Sequence, residues 1–283
     1  MEELLQYYLD SQGTDELKKE IVETYAGLIG FIDRSKTINI LEIGAGKVGA
    51  SIKMWRKYFY NANVFSFDPF FLEDQEVTPE ELKSLNIVPI IGNQLSRQDL
   101  RNAASLIVEA TGTGIDIVID DAAHMPDTVQ ISLGVLFPFL NASGIYLVED
   151  LNTTLRRAMD IDSVNKNLEA LDTQGKMSLR HIDDVHLFDA VNSFAQRGEW
   201  PSKSLTDSEK NYLASNIAYA NIIGKHVEFE NNRTWHRKYP NGADAKSDEK
   251  VYTSFHLPHV GVLRKTSYAG CEPTLEYKEV QNA

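Results

Sequence analysis

From residue 38 to about residue 154, short runs of Ile, Val, Leu and Phe alternate with longer stretches of mixed polarity, and this constrains the fold more than any other feature. The alternation predicts strands at 38–43, 63–67, 87–91, 115–119 and 144–148, separated by helices at 48–59, 79–85, 97–110 and 127–140. A strand that must return parallel to itself crosses over one face of the sheet, and the helix supplies that crossover. Repetition of the unit predicts an α/β fold, doubly wound and Rossmann-like, with helices on both faces of a mostly parallel sheet. Two later extended stretches, 226–229 and 260–263, are expected to finish a seven-stranded sheet as an antiparallel pair. Ligands in such sheets sit beyond the carboxyl ends of the strands.

Outside this core the pattern changes. Residues 1–36 place Leu4, Leu5, Tyr8, Leu17, Ile21, Tyr25 and Leu28 at near-helical intervals around a break at Gly13, which reads as an N-terminal helical lid or packing layer laid across the sheet. The remainder, 37–283, is read as one domain with a polar, partly helical insertion at about 151–220 that shapes a substrate pocket. Residues 231–248, with an Asn241-Gly242 turn signal, are expected to form a long loop or hairpin.

Composition narrows the function. The chain of 283 residues carries 28 basic and 41 acidic side chains, a formal charge of −13, with no basic cluster, so neither nucleic acid nor an anionic membrane surface is an expected partner. The apolar runs are too short for a membrane span, and Glu2 and Glu3 stand where an export signal is basic, so a cytoplasmic protein is expected. Cys271 is the only cysteine, which excludes an internal disulfide and a thiolate metal cluster. A homo-oligomer formed through the N-terminal helices is compatible with the sequence.

The segment Leu41-Glu42-Ile43-Gly44-Ala45-Gly46-Lys47-Val48-Gly49 follows the first strand directly, and Asp68 ends the second. Glycines at such a turn let backbone approach a ligand, and an acid at the next strand end is placed to accept hydrogen bonds from ribose hydroxyls. Strand, glycine turn, helix, strand, acid therefore predicts a site for an adenosine-like group.

A second constellation lies one crossover on. Two apolar strands run into acids, at Asp120-Asp121-Ala122-Ala123-His124 and at Glu149-Asp150. The strands are expected to be neighbours, so Asp121, Glu149 and Asp150 are expected to converge. Three close carboxylates either hold protons or share a cation, and all-oxygen ligands favour a hard ion such as Mg²⁺, with Mn²⁺ or Ca²⁺ as alternatives. His124, three residues after Asp121, is placed to take a proton from a hydroxyl beside such a cation. Asp120 is read as either a cofactor contact or a residue that orders the turn. His181 and His186 flank Asp183-Asp184 as a weaker second metal candidate. His256 and His259 are read as bordering the pocket, and Trp235, Tyr239 and Tyr252 either stack on an acceptor or pack.

Together the stretch from Ile40 to Asp68, the Asp120 to His124 turn and the Leu147-Val148-Glu149-Asp150-Leu151 strand end resemble the class I S-adenosylmethionine-dependent methyltransferases, closest to the macrocin and mycinamicin type of metal-dependent sugar O-methyltransferase. The resemblance covers roughly residues 14–155. It implies that Glu42, Gly44, Gly46 and Ser51 serve the cofactor loop, that Asp68 binds the ribose, and that Asn93, Gln94 and Asp120 serve the rest of the cofactor. It further implies that Asp121, Glu149 and Asp150 hold Mg²⁺, that His124 is the general base, and that the acceptor is a small natural product with a sugar- or polyol-like hydroxyl. The chain departs from the family pattern at Asn93, where an Asp is common, and at Ala122-Ala123, where Gly-Ser is common. Two other functions stay open at this level: an NAD-dependent oxidoreductase or epimerase, whose glycine loop and acid look alike, and a non-catalytic cofactor-binding accessory protein.

Overall fold

A computed structural model describes residues 2–11, 16–70, 75–151, 184–231, 235–238, 244–247 and 251–266, with backbone alone for 16–20 and for the strand residues within 224–259. Two helices, α1 (Glu2–Asp10) and α2 (Glu16–Ile29), precede the alternating region. That region then runs β1 (Asn39–Ile43), α3 (Ala50–Tyr58), β2 (Asn63–Asp68), α4 (Pro79–Ser84), β3 (Ile87–Ile91), α5 (Arg97–Thr111), β4 (Ile115–Asp120), α6 (Pro126–Leu136) and β5 (Leu140–Val148). Two further helices, α7 (Leu187–Arg197) and α8 (Asp207–Asn216), lead into β6 (Ile217–Asn231), β7 (Trp235–Lys238), β8 (Asp244–Ser247) and β9 (Val251–Lys265).

Seven strands form one sheet in the order β3-β2-β1-β4-β5-β9-β6. The first five pair in parallel, and β9 pairs antiparallel with both β5 and β6. The doubly wound expectation therefore holds, with the antiparallel strands at one edge. Several boundaries moved, among them the start of β5, at Leu140 and not at residue 144. The helix expected to reach residue 140 stops at Leu136, because Pro138 lacks the amide needed to continue and a 3₁₀ turn, Phe137–Phe139, replaces it. The last two strands each run 15 residues rather than four, since they pair with each other well past the edge of β5, from Ile217 opposite Lys265 to Asn231 opposite Val251. Between them β7 and β8 pair as a separate antiparallel ribbon, in the segment expected to be a loop or hairpin.

Successive strand residues point to opposite faces, so each strand feeds two cores. On one face Leu41, Ile43, Phe65, Phe67, Val118, Tyr146 and Val148 pack against α5, α6 and α7. On the other Ile40, Val64, Ile117, Ile119, Ile145 and Leu147 pack with Trp55 of α3 and with Leu4, Tyr8, Ile21, Val22, Tyr25 and Ile29 of α1 and α2. The N-terminal helices are thus a packing layer of the second core. Trp55 is wholly buried there with its ring centroid 5.2 Å from that of Tyr25. Full burial of one such side chain contributes about 1.5–3 kcal/mol, so this layer is held by much more than any single polar contact.

Candidate active site

The carboxyl ends of β1, β2, β4 and β5 meet at the middle of the sheet. There the ladder extends past the strands: the Asp121 amide donates to Ile43 O at 2.9 Å, the Gly44 amide to Phe67 O at 2.9 Å, and the Glu149 amide to Asp120 O at 3.0 Å. Gly44 has φ +96°, and a Cβ there would overlap the Asp121 carbonyl. The glycine that sequence reading assigned to ligand approach is therefore needed for the approach of the loop to the β4 turn. Gly46, at φ +61°, faces open space instead.

Glu42 lies on the α3 face of β1, fully buried, and accepts a hydrogen bond from the Ser51 hydroxyl at the start of α3. Asp68 is bound to the loop: Oδ2 accepts from the Ala45 amide at 2.8 Å, and Oδ1 from the Phe70 amide at 2.6 Å and from Gln75 Nε2 at 3.2 Å. Its carboxylate braces the glycine turn besides standing at the expected strand end. Asn93 uses its side-chain oxygen to accept from the Leu95 amide at 2.9 Å, a local turn contact before α5. Gln94 reaches further, donating to Asp120 Oδ1 at 2.7 Å and Ser132 Oγ at 2.9 Å while accepting from the Ala123 amide at 3.2 Å.

Asp120 sits at the centre of that network, 1% exposed, and its Oδ2 also accepts from the Tyr146 hydroxyl at 3.0 Å. Burial pushes its carboxyl up to about 7, against the opposing pull of the bonds from Tyr146, Gln94 and Ser132. Tyr146 and Ser132 were not singled out by sequence reading. A tyrosine inside an aliphatic strand was the available signal, because a buried phenol needs a partner.

Asp121, His124 and Asp150 come together at the rim, each partly exposed, with one potential ligand atom apiece all within 4.8 Å of one another. His124 Nε2 lies 3.8 Å from Asp121 Oδ1 and 3.7 Å from Asp150 Oδ2. Both His124 (φ +54°) and Asp150 (φ +52°) adopt the left-handed backbone conformation, which bends the chain so that their side chains turn into the group. Two carboxylates suit a hard divalent cation, and the imidazole stands beside them.

Glu149 is separated from this group. It is 1% exposed and accepts a hydrogen bond from the Tyr25 hydroxyl, delivered by α2. Parity explains the separation: Ile145 and Leu147 face the α2 core, and Glu149 continues that face beneath the rim. Tyr25 was read from sequence only as a position on an amphipathic helix. Its hydroxyl stays protonated, because burial raises its pKa well above the usual tyrosine range and the charges of Glu149, Asp121 and Glu42 add to the effect.

The second metal candidate lies partly outside the described residues, which hold only Asp184 and His186 of it. Asp184 accepts from the Val185 amide, the Ser202 hydroxyl and the Lys203 and Ser204 amides at 2.7–2.9 Å, as a loop brace. His186 precedes α7 as its N-terminal flanking residue. His181, Asp183 and Tyr239 lie outside the described residues, as do the side chains of Trp235, Tyr252, His256 and His259.

Comparison with solved structures fits this layout. The MycE methyltransferase of the mycinamycin biosynthetic pathway, in complex with Mg and SAH, superposes with a TM-score of 0.57 at 20% identity, covering 96% of this chain and 56% of that one. The same enzyme with Mg, SAH and mycinamycin VI gives a TM-score of 0.55 at 20% identity, over 96% and 56% of the two chains. This is a methyltransferase fold. No family model matches the chain. Among curated proteins it is 33% identical over 127 residues to the 8-demethyl-8-alpha-L-rhamnosyl tetracenomycin-C 2'-O-methyltransferase of Streptomyces olivaceus, over 43% of this chain and 30% of that one. It is 31% identical over 126 residues to the demethylmacrocin O-methyltransferase of Streptomyces fradiae and to the mycinamicin VI 2''-O-methyltransferase of Micromonospora griseorubida, over 42% of this chain and 29% of each. The match thus spans about 30% of the length of these curated relatives. Among the described residues no helix is long and apolar enough to cross a membrane.

Proposed function

We propose that this chain is an S-adenosylmethionine-dependent O-methyltransferase that uses Mg²⁺ or a similar hard divalent cation and acts on a hydroxyl of a small, sugar- or polyol-like natural product. One observation carries the reading: His124 Nε2 stands 3.7–3.8 Å from two carboxylates at the carboxyl edge of the sheet, on a turn that packs directly against the glycine loop. Proton acceptor and cofactor loop therefore share one wall. The relatives are all O-methyltransferases by name, one of them acting on a rhamnosyl compound, and they support the same reading.

In this proposal Glu42, Gly44, Gly46, Ser51 and Asp68 line the sugar and amino-acid side of the cofactor, and Asn93, Gln94 and Asp120 its far side. Asp121 and Asp150 would hold the cation, which supplies Lewis-acid polarisation of the acceptor's oxygens. His124 would take the acceptor's hydroxyl proton, and the cofactor, when bound, would supply the methyl group to that oxygen and leave as S-adenosylhomocysteine. Orientation of the two reactants in line contributes much of the acceleration.

Calorimetric titration with S-adenosylmethionine and with NAD tests the cofactor. Heat with NAD and none with S-adenosylmethionine overturns the reading in favour of an oxidoreductase. For the base, His124→Ala is expected to retain cofactor affinity while methyl transfer to candidate glycosides, followed by mass spectrometry, falls by two orders of magnitude or more, in the ~10²–10⁴ range of general-base catalysis. Unchanged turnover in the variant removes His124 from the mechanism.

A further inference from the structure

Helix α2 sends one polar atom into the floor of the site. Tyr25 is completely buried, its ring wedged against Trp55, and its hydroxyl donates to Glu149 Oε1. The phenol is fixed by a core of Leu4, Ile21, Ile29, Ile117, Ile119 and Leu147, so the donor does not follow the carboxylate; the carboxylate is held where the donor stands. Glu149 is the residue before Asp150 and its amide is bonded to Asp120 O, which places it directly behind the residues that meet at the rim. The same hydroxyl lies in the fields of Asp121, just after β4, and of Glu42 in β1.

We propose that Tyr25 is a positioning residue for the divalent-cation site, fixing Glu149 behind Asp121 and Asp150 so that cation binding depends on the docking of α2. This rests on the divalent-cation reading above. The physical argument is that carboxylates in and behind a metal site are themselves oriented by hydrogen-bond donors, whose removal typically weakens binding by about 10–100-fold. A tyrosine donates one hydrogen bond and brings no charge, so it orients Glu149 without neutralising the negative potential that attracts the cation. The N-terminal helices thereby gain a function beyond covering the sheet, because their register decides where Glu149 points.

The test is Mn²⁺ affinity of the full chain, measured by electron paramagnetic resonance of free Mn²⁺ for wild type, Tyr25→Phe, Glu149→Gln and the double variant. Tyr25→Phe is expected to weaken Mn²⁺ about 10–100-fold with S-adenosylmethionine affinity unchanged. Glu149→Gln keeps an acceptor for the phenol but loses the charge, and is expected to weaken Mn²⁺ at least as much. If Tyr25 acts through Glu149, adding Tyr25→Phe to Glu149→Gln changes the affinity no further. Wild-type affinity in Tyr25→Phe, or equal losses from Tyr25→Phe in both backgrounds, overturns the inference while leaving the cation reading intact. Should Tyr25→Phe fail to fold, wild-type affinity in Glu149→Gln alone overturns it. Absence of Mn²⁺ and Mg²⁺ binding by the wild type overturns the cation reading and this inference with it.

Discussion

The buried carboxyl of Asp120 makes stability depend on pH in a way that one substitution isolates. Its pKa stands at about 7 in the folded chain against 3.8 for an unperturbed aspartate, burial being the dominant cause. A raised folded pKa means that the native state binds the proton more tightly than the unfolded one. The contribution to stability is therefore fully present below pH 3.8 and is lost as pH rises through about 7. At about 1.4 kcal/mol per unit, a shift of about 3 units corresponds to an upper bound of about 4 kcal/mol between the two limits. Asp120→Asn keeps the shape and can still meet Gln94 and Tyr146, but cannot ionise. Urea denaturation of both proteins at pH 5 and pH 8, with a chelator present, gives a double difference in which the other titrating groups cancel. The variant is expected to gain about 2–3 kcal/mol relative to wild type on going from pH 5 to pH 8. A difference that is the same at both pH values to within about 0.5 kcal/mol refutes the reasoning, since it requires Asp120 to titrate alike in the folded and unfolded chains.

Gly44→Ala places a methyl group into the Asp121 carbonyl at a backbone φ of +96°. A cost on the order of 3 kcal/mol is expected from the conformation alone, read as a lowered urea midpoint together with weakened cofactor binding. An unchanged midpoint and affinity would show that the loop and the β4 turn separate freely. Asp184→Ala removes the acceptor that four donors share, and is expected to cost about 2–3 kcal/mol in chemical denaturation. Burial opposes ionisation of Asp184, but the bonds from Ser204, Lys203 and Ser202 prevail and hold its pKa below the usual value. Its contribution is thus present above the unfolded pKa and lost as pH falls through the depressed one. The gap between wild type and Asp184→Ala should therefore narrow as the pH falls, and a gap that does not change with pH contradicts the assignment. Thr206→Ala breaks the capping box with Glu209 at the start of α8, with an expected loss of about 1 kcal/mol in the same measurement.

Much of the architecture was legible because it rests on periodicity. Strand β3 was read at 87–91 and α4 at 79–85, against Ile87–Ile91 and Pro79–Ser84 in the structure. What failed was length where pairing rather than composition decides it: nothing local in 217–231 distinguishes a four-residue strand from a 15-residue one, since the extension exists only because β9 lies alongside. The site was legible in its residue types and less so in their directions. Gln94, expected to serve the cofactor, also spans from the third strand's loop to Asp120, Ser132 and Ala123, contacts separated by up to 38 residues that no local pattern encodes.

The acids at the strand ends show why direction matters more than proximity in sequence. Glu149 and Asp150 read as one pair, but adjacent residues leaving a strand face opposite sides of the sheet. Glu149 follows Leu147 onto the α2 side and meets Tyr25, as Glu42 follows Ile40 and meets Ser51. Asp120 follows Val118 onto the other side and meets Gln94 and Tyr146. Each face thus buries its own carboxylate against its own donor. Asp121 and Asp150 reach the rim instead, and Asp150 does so with φ +52°. A substitution that restores ordinary geometry there tests the point: Asp150→Glu keeps the charge but is less tolerant of the left-handed conformation. It is expected to weaken Mn²⁺ binding at least tenfold, whereas Asp150→Asn, which tolerates that conformation, should lose affinity through charge alone and keep the wild-type melting temperature. Equal melting temperatures for the two variants would show that the left-handed turn at residue 150 imposes no constraint on the site.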